Sequence, residues 1–124
     1  MNQDGTLNGP SNPAARGSVV ALWGTGFGQT DPPCASGGLN APGPVNLASG
    51  LSALITDDRY GGYTPALYAG SAPKLLCGVQ QINMLVPTYV EPGAYEFLPV
   101  SAMGALNGGE ATARGGAMVT IAVK

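Results

Sequence analysis

Seven carboxylates, two thiols and no histidine make up the reactive side chains of this 124-residue chain. The missing imidazole removes Ser-His and Cys-His nucleophilic catalysis, histidine-ligated zinc and the commonest general base. Two carboxylates facing each other across a cleft would be enough for glycoside hydrolysis. Asp4, Asp31, Asp57, Asp58 and Glu91, however, stand in turn-like sequence rich in Gly and Pro, where aspartate is favoured for the bonds it makes to its own backbone. They read as turn formers, and no catalytic residue is assigned. Asp57-Asp58 does not reproduce the spacing of a calcium loop. The cluster Gly24-Thr25-Gly26-Phe27-Gly28 lacks the lysine and the following helix that phosphate binding uses. Neither a metal nor a cofactor is expected.

Cys34 and Cys77 are too far apart in sequence for a close metal-binding pair. They are either free buried thiols or one structural disulfide, and a turn-rich domain poor in charge favours the disulfide. The aromatic residues offer a different chemistry, stacking on sugar rings. Trp23 lies in an apolar run and is expected in the core. Tyr60 and Tyr63, at a polar hairpin tip, and Tyr89 are the candidate ligand contacts.

Net charge is −2 and only five residues are Lys or Arg, so no basic patch exists to neutralise a phosphate backbone, and nucleic acid is not an expected partner. No apolar run approaches the roughly 20 residues of a membrane span, and no basic start followed by an apolar stretch marks a signal peptide at Met1.

Positioning these groups falls to short strands. Charged residues are 10% of the chain, against roughly 25% in ordinary globular proteins, while 20 Gly and 11 Pro punctuate it. Extended segments are predicted at Ser18 to Trp23, Leu51 to Thr56, Thr64 to Ala69, Gln80 to Val86, Tyr95 to Val100 and Ala117 to Val123, with Val45 to Leu47 as a possible short strand. The clearest alternation puts Ile82, Met84 and Val86 on one face and Gln81 and Asn83 on the other. The run from Ser18 to Trp23 is apolar almost throughout and predicts a strand covered on both faces. Pro65 predicts an edge position or a strand entrance. Asp4-Gly5 signals a type I′ turn. The Pro-rich stretch from Gln29 to Gly50 predicts a long ordered loop anchored by Cys34. No helical periodicity intervenes, so the fold class is all-β, a sandwich of about seven strands with long Gly/Pro-rich loops.

Several segments in order carry a resemblance: Asn2-Gln3-Asp4-Gly5-Thr6-Leu7-Asn8, Ser11-Asn12-Pro13-Ala14, Gly17-Ser18-Val19-Val20, Gly24 to Thr30, Pro32-Pro33, Leu67-Tyr68-Ala69-Gly70, Ala72-Pro73, Gln81-Ile82-Asn83, Val86-Pro87, Pro92-Gly93 and Val119 to Val123. Over nearly its whole length the chain resembles an uncharacterised C-terminal domain family of large secreted or surface proteins, notably of acidobacteria. The resemblance implies an immunoglobulin-like β-sandwich, an exported location and no known catalytic residues. It also implies a strand before Asn2. The two cysteines, the turn from Asp57 to Tyr63 and the connection from Ala102 to Gly116 depart from the pattern.

The expected organisation is an N-terminal arm with a truncated hairpin over residues 1–16 and a sandwich over 17–124. The expected function is a non-enzymatic extracellular or cell-surface building block, structural or adhesive, associating with neighbouring β-sandwich domains or with copies of itself, as in a filament. Asn2, Gln3, Asp4, Gly5, Thr6, Leu7 and Asn8 form the candidate assembly arm, because an unpaired sheet edge accepts a strand from another chain. The alternative is a polysaccharide-binding module of a secreted protein, using Tyr60, Tyr63 and Tyr89.

Overall fold

The computed structural model of the chain describes residues 1–48, 51–56, 61–101 and 119–124, with residues 51–56, 61, 63, 65 and 96–101 described by their backbone alone. Six strands follow one another: β1 (Val19–Gly24), β2 (Leu51–Thr56), β3 (Gly61–Ser71), β4 (Gln80–Leu85), β5 (Gly93–Ser101) and β6 (Val119–Val123). They pair in the order β1-β4-β3-β2-β5-β6, and all five ladders are antiparallel. Among the described residues there is no helix, and the chain is all-β. No helix of the described residues is long and apolar enough to cross a membrane.

The sheet turns a corner within β3. Residues 61–65 pair with β2, whereas Ala66 to Ser71 pair with β4 after a register shift between Ala66 and Tyr68. A bulge of this kind bends the strand and raises its twist. Pro65 is the last residue opposite β2 and Ala66 the first opposite β4. Neither Pro65 nor Ala66 therefore has a ladder on both sides, and a proline is tolerated inside the strand rather than at the predicted edge or entrance.

The bend brings the two halves of the sheet over one interior. Val20 of β1, Ile82 and Met84 of β4, Tyr95 of β5, and Ile121 and Val123 of β6 pack with Ala14, Val86 and Val90 in a single buried cluster. Burying each large aliphatic side chain contributes on the order of 1.5–3 kcal/mol, which makes this cluster the main source of stability. The alternation of Ile82, Met84 and Val86 is observed as predicted, all three being buried. The two ends of the sheet also meet. Ala14 bridges Val123 in parallel, donating to the Ala122 carbonyl at 2.8 Å and accepting from Lys124 N–H at 2.8 Å, and the chain then runs into β1.

Trp23 departs from expectation: its side chain is 42% exposed. In β1 only Val20 is buried, and Leu22 packs partly on the core. Val19, Ala21 and Trp23 alternate with these onto the other face, where Val19 and Ala21 are partly buried and Trp23 is exposed.

The long loop is ordered by pairing as well as by a covalent link. Cys34 and Cys77 form a disulfide, with their Cα atoms 5.7 Å apart. Residues 45–47 lie along the outer side of β3, with Leu47 N–H donating to Ala69 O and Ser71 N–H to Val45 O. The approach leaves no room for a side chain at Gly70, where a Cβ would strike the Val45 carbonyl oxygen and stand 2.7 Å from the Tyr68 hydroxyl. Buried Asn40 ties the loop to the β3–β4 connection: its Nδ2 lies 2.9, 3.2 and 2.8 Å from the carbonyl oxygens of Ala72, Leu76 and Val79.

Candidate functional site

The first thirteen residues are held almost wholly by hydrogen bonds. Asn2 N–H donates to Thr6 O and Gly5 N–H to Asn2 O, closing a tight turn in which Gly5 has φ 83°. Asp4 is not in the left-handed region. The turn is therefore the type I form followed by a left-handed glycine, in place of the predicted type I′ turn. Asp4 Oδ1 accepts from Thr6 Oγ1 at 2.6 Å and from Thr6 N–H at 3.0 Å. These two bonds, the hydroxyl first, hold the Asp4 carboxyl below its ordinary range.

An asparagine cluster locks the rest. Asn2, buried, receives Asn8 Nδ2 on its Oδ1 at 2.9 Å and donates to Asn12 O at 3.0 Å. Asn12 Nδ2 reaches Thr6 Oγ1 at 2.7 Å and Leu7 O at 2.9 Å. Asn8 then acts as a piece of strand: its Nδ2 donates to Ala122 O at 2.9 Å and its Oδ1 accepts from Ala122 N–H at 2.8 Å.

The same segment reaches the other margin of the sheet. Met1 exchanges two bonds with Ala21, amino group to Ala21 O at 2.7 Å and Ala21 N–H to Met1 O at 2.9 Å, and Val19 N–H donates to Gln3 Oε1 at 3.0 Å. Burial lowers the pKa of the Met1 amino group. The arm thus covers both terminal strands, β1 through Met1 and Gln3 and β6 through Asn8.

Cover on β1 stops short. Val86 N–H donates to Ser18 O, so Val20, Leu22 and Gly24 carry the bonds to β4, while Val19, Ala21 and Trp23 direct their backbone groups toward the arm. Met1 occupies Ala21. Among the described residues nothing bonds the Trp23 N–H and C=O on that side.

Packing draws the limit of the arm. Met1 and Leu7 are exposed, whereas Ala14 is 2% exposed and belongs to the core. The apolar interior begins at Ala14, within the stretch 1–16 expected to form the arm.

Of the three aromatic candidates, Tyr89 has a described side chain. Tyr60 lies outside the described residues, and Tyr63 is described by its backbone alone. Tyr89 is 65% exposed, with its hydroxyl against Gly62. Tyr95 is buried and donates to Glu91 O at 2.7 Å. The outer face of β1 and β4 instead presents Trp23 beside Gln81, with Gln81 Nε2 donating to Asn83 Oδ1 at 2.8 Å. Alternation placed both amides on an outward face; the sequence had no alternation in β1 that would have put Trp23 next to them.

A cleft of about 200 Å³ lies beneath the disulfide, lined by Thr30, Cys34, Asn40, Ser71, Cys77 and Gln80 among others. Ser71 Oγ has no hydrogen-bond partner, while Gln80 is engaged by Phe27 N–H and Gly28 O. The lining carries no charged group. No family model, curated protein or solved structure matches the chain.

Proposed function

We propose that this chain is a non-enzymatic extracellular building block, an immunoglobulin-like sandwich that joins to further copies or to neighbouring sandwich domains through its N-terminal arm. The observation that carries the reading is the contrast at Ala14: residues 1–13 bury no apolar side chain in the core, and hydrogen bonds to β1 and β6 hold them. Detaching such an arm exposes little apolar surface, and another copy offers the identical partners. Exchange is then nearly balanced in energy, the usual condition for domain swapping. Because donor and acceptor surfaces differ, exchange from copy to copy is head-to-tail and extends into a filament unless the rotation closes a ring. The unpaired Trp23 position of β1 extends the same margin for strand pairing.

The disulfide suits an oxidising, extracellular setting. The absence of histidine from the sequence supports the non-catalytic reading.

The test is negative-stain electron microscopy of native material beside a variant lacking residues 1–13. Filaments are expected from the intact chain only, with circular dichroism and a cooperative melt showing that the shortened sandwich still folds. Filaments of undiminished length from the shortened chain would rule out the arm.

A further inference from the structure

The outer face of the β1-β4-β3 half combines three features that the arm does not use. First, Trp23, the single tryptophan of the chain, stands opposite Gln81 in a pair without mutual backbone bonds. In such pairs the Cα atoms are about 4.5 Å apart and the side chains are at their closest. The indole is thus held beside a primary amide, 42% exposed.

Second, Gln81 Nε2 donates to Asn83 Oδ1, which fixes both amides, and among the described residues Gln81 Oε1 and Asn83 Nδ2 meet no partner. One acceptor and one donor are presented in a set orientation along the strand.

Third, the neighbouring positions are small or neutral. Ala21 precedes Trp23 on the same face, whereas Gly70, across from Gln81 on β3, is buried against the Val45 carbonyl and the Tyr68 hydroxyl and bounds the platform on that side. Tyr68, opposite Asn83, is folded down with its hydroxyl donating to Ser71 O at 2.6 Å. Val19, Ala21, Trp23, Gln81, Asn83, Leu85, Tyr68 and Gly70 carry no charge.

We infer that this face binds the neutral sugar rings of a polysaccharide, with Trp23 stacking on the C–H face of one ring while Gln81 and Asn83 exchange hydrogen bonds with its hydroxyls. An indole supplies a flat apolar platform. A sugar hydroxyl both donates and accepts, which matches an amide pair offering one group of each kind. The absence of charge disfavours acidic glycans, whose carboxylates would be desolvated without a cation. Tyr89 lies off this platform, with its hydroxyl against Gly62 in the part of β3 that pairs with β2.

The single tryptophan makes the test direct. The intact chain is titrated with cellohexaose, laminarihexaose and chitohexaose while indole emission and acrylamide quenching are followed, and retention on the corresponding insoluble polysaccharides is measured separately. A saturable blue shift with reduced quenching is expected for at least one of the three. Trp23→Ala is expected to abolish retention, and Gln81→Ala and Asn83→Ala each to weaken binding about tenfold, as loss of a ligand hydrogen bond of 1–2 kcal/mol implies. No saturable change with any of the three sugars overturns the inference. So does retention by Trp23→Ala at the intact level, binding confined to an acidic polysaccharide such as alginate, or a loss on Tyr89→Ala that Trp23→Ala does not share. None of these outcomes bears on filament formation, which the arm deletion tests separately.

Discussion

Replacing Cys34 and Cys77 together by alanine isolates what the disulfide contributes. The bond links residues 43 apart in sequence, and the entropy of closing a ring of that size in the unfolded chain corresponds to about 4 kcal/mol. In the folded state the same region keeps other ties: the Leu39–Leu76 bridge, Asn40 N–H to Leu75 O, Cys77 N–H to Gly38 O, and the three carbonyls gathered by Asn40 Nδ2. The native loop therefore persists, and the loss acts through the unfolded ensemble. For 124 residues with an unfolding entropy of roughly 2 cal/mol/K each, about 4 kcal/mol corresponds to a fall in Tm of about 15 °C. Releasing the cross-link also lets the unfolded chain expose more surface, so the denaturant m-value is expected to rise. Thermal and urea unfolding of the double variant, followed by circular dichroism, measure both quantities. A fall in Tm below about 4 °C with an unchanged m-value would refute the reasoning, because it would mean that the unfolded chain is constrained without the bond.

Asn40→Asp replaces a buried donor by a carboxylate facing three carbonyl oxygens. It is expected to cost more than Asn40→Ala, itself worth about 2–3 kcal/mol, and to recover partly in acid as the carboxyl protonates, a pattern that Tm against pH will show. Asn8→Ala leaves the Ala122 N–H without its partner while Ala14 still serves the Ala122 carbonyl, so a loss of about 1–2 kcal/mol and faster amide exchange at Ala122 are expected. Gly70→Ala forces Val45 away from β3, and a loss of about 1–3 kcal/mol in denaturant unfolding is the expected result. The lowered Asp4 pKa contributes stability that is present above the unfolded-state value and lost as pH falls through the folded one. Thr6→Ala should therefore move the Asp4 titration seen by NMR upward.

The periodicity of Gln80 to Val86 suffices to place Ile82, Met84 and Val86 inside and Gln81 and Asn83 outside, because a strand alternates strictly and only one of its faces was apolar. Strand positions, the all-β class and the choice of a disulfide follow in the same way from local pattern and composition. The orientation of β1 does not. Its run is apolar on both faces, so nothing local separates Val20 from Trp23, and the register with β4 decides it by setting Val20 beside Met84 and Trp23 beside Gln81.

The N-terminal arm is a sharper case. Asp4-Gly5 announces a turn, but the side-chain grip of Asn8 on Ala122 joins residues 114 apart, and an isolated asparagine carries no mark of a distant strand that it will complete. Buried Asn40 and Gln80 are similar: each amide replaces missing backbone bonds at a loop crossing, Gln80 against Phe27 and Gly28. A chain's own order dictates which residues alternate and where it turns. Which backbone groups are left wanting a partner is fixed only when strands far apart in sequence come to lie side by side.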